Sequence, residues 1–80
     1  MEKPVDWTLW RSFLAVAETG SLSAAARRLG LTQPTLGRHI EALETAIGQP
    51  LFLRAPQGMV PTPAAQALMP EAQTMAHAAA

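Results

Sequence analysis

The feature that most restricts this chain is its punctuation. Gly20-Ser21, Gly30-Leu31-Thr32 and Gly48-Gln49-Pro50 each stop a helical pattern, and the first two restart one at once. Glycine enters the left-handed conformation that closes a helix, and Ser or Thr brings the side-chain oxygen that caps the next. Before Gly20, the apolar positions Leu9, Trp10, Phe13, Val16 and Ala17 recur at steps of three and four, predicting a first helix from Trp7 to Glu18 with Asp6 as its N-cap. Between Ser21 and Gly30 the stripe Leu22, Ala25, Ala26 and Leu29 predicts a second, short helix. Its Ala24-Ala25-Ala26 run permits close helix approach, and Arg27 and Arg28 stand near its C-terminus, where cations suit the helix dipole. Thr32 caps a third helix with Pro34 in its first turn, where a missing N–H costs nothing.

On that third helix Leu36, Ile40, Leu43 and Ile47 fall within about 60° of one another and define a core face. Pro34, Arg38, Glu41 and Thr45 point the other way, with Gln33 and Thr35 flanking the N-terminal end. Residues 51–55 then read as a short strand, Pro56-Gln57-Gly58 as a turn, and Met59-Val60-Pro61 as a returning strand confined to an edge or end by its proline. Thr62-Pro63 repeats the cap-plus-proline start. Ala65, Leu68, Met69, Ala72, Met75 and Ala76 continue as a helical stripe in which Pro70 is expected to kink the helix rather than end it. Two short helices joined by Gly30-Leu31-Thr32, then a hairpin, describe an all-α fold with a small β-wing, a winged helix-turn-helix.

Eighty residues make one small domain, and 49% hydrophobic against 15% charged residues place it among folded chains. There is no cysteine, and two separated His residues do not form a zinc site, so neither metal nor cofactor is expected. The start MEKPVDW lacks a signal-peptide pattern, and no run approaches the ~18 apolar residues of a membrane span, so a cytoplasmic protein without membrane contact is expected. Net charge is zero, yet residues 21–39 hold Arg27, Arg28 and Arg38 with no acid, so basic charge is concentrated in one central segment. Catalysis is not supported: Glu41 and Glu44 have routine helix spacing and no accompanying nucleophile or metal ligand. Trp7 and Trp10, beside Leu9 and Phe13, read as packing rather than a stacking platform, and His39 as an exposed residue on the flank of the third helix.

Phe13, Glu18, Gly20-Ser21-Leu22-Ser23, Ala25-Ala26, Leu29, Thr32-Gln33-Pro34, Ile40, Leu43-Glu44, Gly48, Leu51-Phe52, Arg54 and Thr62 resemble the N-terminal domain of LysR-type transcriptional regulators, over about Leu9 to Leu68 with matching gap lengths. The resemblance implies sequence-specific binding of double-stranded DNA with interrupted dyad symmetry. It also implies a homodimer formed through the fourth helix, and a C-terminal domain, absent here, that takes a small-molecule effector. The division expected is 1–62 for the winged helix-turn-helix and 63–80 for a truncated linker and dimerisation helix.

Residues and resemblance together assign base contacts to Gln33, Pro34, Thr35 and Arg38, because Gln pairs with adenine and a Thr methyl meets thymine. Backbone or minor-groove contacts fall to Ser21, Arg27, Arg28, Thr32, His39 and Arg54, and dimerisation to Trp10, Leu68, Met69, Ala72, Met75 and Ala76. Each polar residue also has a plainer reading, as a cap, a dipole partner or a solvated side chain. Gly37, Gln57 and Ala65 depart from the family pattern: the first removes an expected backbone contact, the second leaves Arg54 as the only wing cation, and the third should favour helix with little effect on binding. Two other functions stay open on the residues alone: a winged helix that binds protein, favoured slightly by net neutrality and by Glu41 and Glu44, and a nonspecific nucleoid protein, which should be more basic.

Overall fold

The computed structural model describes residues 7–79, so the Asp6 cap lies outside the described residues. The order is α1 (Trp7–Thr19), α2 (Leu22–Leu29), α3 (Gln33–Ile47), β1 (Phe52–Ala55), β2 (Gly58–Pro61) and α4 (Pro63–Ala79). The boundaries of α2 and α3 are made by the expected local chemistry. Ser21 Oγ accepts from the Ala24 N–H at 3.1 Å and opens α2. Gly30 closes it at φ 69°, and the Leu31 N–H returns to the Ala26 carbonyl at 2.9 Å, the wrapped ending that an αL glycine permits. Thr32 Oγ1 accepts from the Thr35 N–H at 3.3 Å, so α3 starts as soon as α2 has ended.

This turn throws α3 across α1 and α2, where its Leu36 and Leu43 are fully buried with Phe13, Val16 and Ala25. Small Ala25 and Ala26 let α2 lie close against its neighbours, as their burial shows. Phe13 is the hub: its ring lies edge-on to Trp10 at 5.9 Å and tilted against Phe52 of β1 at 5.6 Å. These offset geometries bring positive ring edges toward negative ring faces.

The hairpin is antiparallel and pairs Phe52 with Pro61, Leu53 with Val60, Arg54 with Met59 and Ala55 with Gly58. Both strands end where the sequence predicts, but β1 starts one residue later and β2 one residue earlier than expected. Leu51 is fully buried and accepts from the Thr62 N–H at 3.0 Å outside the ladder, whereas Gly58 joins it and leaves Pro56-Gln57 as the turn. Pro61 ends its strand, where a missing donor is tolerated. The Thr62 hydroxyl donates to the Pro50 carbonyl at 2.8 Å and accepts from the Ala65 N–H at 3.2 Å, clasping the hairpin base while capping α4.

Pro70 lies inside α4 without ending it. The apolar stripe of this helix departs from expectation. Ala65 and Ala72 are fully buried, and Leu68, Met69 and Ala76 pack partly buried on the same core. Ala72 therefore faces the core of its own chain, because a step of seven residues from Ala65 returns to the same side of a helix.

Candidate nucleic-acid interface

The start of α3 projects from the body with Gln33, Pro34 and Arg38 exposed and Thr35 partly so. The side chains here are ordered by one another. Thr32 Oγ1 donates to Thr35 Oγ1 at 3.0 Å, and Arg38 Nη2 donates to the same oxygen at 3.2 Å. Since the Thr35 hydroxyl accepts twice, its own proton is left to donate outward. Arg38 is thereby drawn back along the helix toward Gln33, concentrating donors at the N-terminal end of α3.

The wing lines a polar groove beside α3. Ser21, Ser23, Gln33, Arg54 and Gln57 all line it, so the fold joins residues from α2, α3 and the hairpin. The wing is held there by backbone: the Met59 N–H donates to the Gly20 carbonyl at 2.9 Å. Gly58 has φ 130°, and a Cβ on it would collide with that same carbonyl, so glycine is required on both counts.

The remaining expected contact residues, and the Ser21 hydroxyl, have further constraints. Ser21 Oγ is occupied as the α2 cap and shares a hydrogen bond with Ser23 Oγ at 3.0 Å. Arg28 pairs with Glu18 at 2.7 Å, both about half exposed, while Arg27 is exposed. His39 is not the exposed residue expected from its flank position: it is partly buried, with Nδ1 2.8 Å from Oγ of the fully buried Ser12. The ring is thus turned toward α1, and only its far nitrogen remains for any phosphate.

Sequence reasoning missed Ser12, although a lone hydroxyl beside Phe13 on a buried face was a signal. It also missed Glu44, whose carboxylate accepts from the Leu51 and Phe52 N–H groups at 2.8 and 3.4 Å and holds the base of the wing. That assignment removes Glu44 from the acidic surface that had favoured a protein-binding module.

Of the expected dimerisation residues, Trp10 and Met75 line one open groove between α1 and α4, together with Pro70, Glu71 and Thr74. Among the described residues, no three His, Asp or Glu side chains gather as a metal site, and no helix is long and apolar enough to cross a membrane.

Two helices set by a tight turn, the second presenting a capped polar end beside a hairpin, define a winged helix-turn-helix domain. Residues 7–66 match the family model of the bacterial regulatory helix-turn-helix proteins of the lysR family, and the chain belongs to that family. Among relatives, the HTH-type transcriptional regulator TfdS of Cupriavidus pinatubonensis is 46% identical over 65 residues, covering 81% of this chain and 22% of that protein. The small neutral protease regulatory protein of Streptomyces coelicolor is 43% identical over 65 residues, covering 81% and 20% respectively. The chain thus spans a third or less of the curated relatives it matches. Among solved structures, the CbnR_DBD–DNA complex is 35% identical with a TM-score of 0.86, covering 92% of this chain and 85% of that one. The BenM_DBD/catB site 1 DNA complex is 30% identical with a TM-score of 0.87, covering 92% and 83%.

Proposed function

We propose that this domain binds double-stranded DNA in a sequence-specific manner as the reading head of a bacterial transcriptional regulator, with α3 in the major groove and the wing on the adjacent backbone or minor groove. The observation that carries this is the shared groove lined by Gln33 of α3 and Arg54 of the wing. A base-reading side chain and a phosphate-seeking one share that groove, as a helix lodged in the major groove beside a backbone requires. Likeness to the CbnR and BenM DNA complexes supports DNA as the partner.

In this reading Gln33, Pro34, Thr35 and Arg38 meet base edges, while Arg54, Arg27 and the hydroxyls of Thr32 and Ser21 lie toward the backbone. Arg28 contributes only by exchanging Glu18 for phosphate. The domain acts as a homodimer on an interrupted dyad, paired through Trp10 and Met75 rather than through the buried Ala72. It works in the bacterial cytoplasm as a binding module rather than a catalyst, and any small-molecule effector acts on the part of such a regulator beyond these residues. Selection from random duplexes tests the reading: enrichment of a motif with two related half-sites supports it, and binding without enrichment overturns it.

A further inference from the structure

Glu41 has no role in the fold or in the contacts assigned so far. It is exposed on α3, about 20° around the helix from Pro34 and about 60° from Arg38, and thus on the same outer face. Among the described residues no ion pair neutralises it. Arg38 is turned to the Thr35 hydroxyl at 3.2 Å, and the ion pair present among the described residues joins Arg28 to Glu18. The neighbouring acid Glu44 is committed to the Leu51 and Phe52 amides. Glu41 therefore carries unused acceptor atoms on a surface that must approach a polyanion.

Against phosphate such a carboxylate is repelled. Within the major groove it finds complementary groups in the exocyclic amines, and the characteristic partner of Glu is the N4 amine of cytosine; guanine and thymine present acceptors that repel it. Seven residues beyond Pro34, it lies about 10 Å further along the helix axis, so it addresses a different base from Gln33. We propose that Glu41 is a specificity-determining residue whose carboxylate accepts from cytosine N4–H at one position of each half-site and penalises other DNA. The proposal rests on α3 entering the major groove. It also explains how a domain of zero net charge avoids indiscriminate binding: the charge that weakens every nonspecific complex is satisfied at the cognate base.

The test is random-duplex selection by the 80-residue chain and by Glu41→Gln and Glu41→Ala, with thermal melts run alongside to confirm that these exposed-site variants stay folded. In the wild-type motif one cytosine per half-site should depend on Glu41. Glu41→Ala should relax the preference there about fivefold or more, and Glu41→Gln should shift it toward adenine, with which an amide makes paired contacts. The other motif positions should not change, and both variants should bind scrambled duplex more tightly than wild type. Motifs identical at every position, or a Glu41-dependent position that prefers guanine or thymine, would overturn the proposal and leave the DNA-binding reading intact. A wild-type chain that enriches no motif would instead overturn that reading itself.

Discussion

Arg38 and Gln33 lie off the buried face of α3, so their removal isolates recognition from stability. We expect Gln33→Ala and Arg38→Ala each to weaken binding to the selected site by about 1–3 kcal/mol, with melting temperatures near wild type. Titration of selected and scrambled duplexes checks this, and the loss should fall mainly on the selected one. Arg54 should behave otherwise: Arg54→Ala should weaken both duplexes alike and lower the salt slope by about one counterion, because a phosphate or minor-groove charge carries little base information. At this scale the outer face of α3 was legible because helical periodicity alone separates it from Leu36, Ile40 and Leu43. Partners were not. Nothing in the local sequence says which flank of α3 meets α1, so the bond between His39 and Ser12 was invisible, and so was the bond of Glu44 to the Leu51 amide.

Among the elements, the docked wing depends on a backbone fit between Gly20 and Gly58. Gly58→Ala combines an unfavourable φ of 130° with a collision against the Gly20 carbonyl, so we expect it to destabilise the fold by about 1–3 kcal/mol or to release the wing. A lowered melting temperature together with loss of the Arg54 contribution to DNA affinity would show both effects; a variant as stable as wild type would contradict the docking. Glu44→Ala should likewise lower stability by about 1–3 kcal/mol, since it leaves the partly buried Leu51 and Phe52 amides without their acceptor. Caps and helix ends were readable because they act over three or four residues, as at Ser21, Gly30, Thr32 and Thr62. The strand limits and the seat of the wing arise from contacts across the chain, such as Met59 to Gly20 and Thr62 to Leu51, and no local pattern encodes them.

For the whole molecule, the direction of α4 decides what is left to pair. The stripe read from the sequence was real, but burial of Ala65 and Ala72 shows that much of it is spent on the domain's own core. Leu68 packs there too, which makes it a poor site for testing assembly. Met75, on the groove with Trp10, is the better probe: Met75→Glu should keep the fold and shift sedimentation equilibrium toward monomer. A dimer that survives this charge would place the interface elsewhere. Fold class and family were legible because punctuation and gap lengths specify the order of elements, whereas the division of α4 between core and interface depends on packing phase against α1.

Whether α3 reads sequence from the major groove is decided by a paired affinity titration of the chain on its selected dyad duplex and on a scrambled duplex of equal length and salt. Binding to the dyad should be tighter by about a thousandfold or more, with most of that margin lost in the Gln33→Ala, Arg38→Ala double variant. Equal affinity for the two duplexes, or a margin untouched by the double variant, would contradict reading by α3.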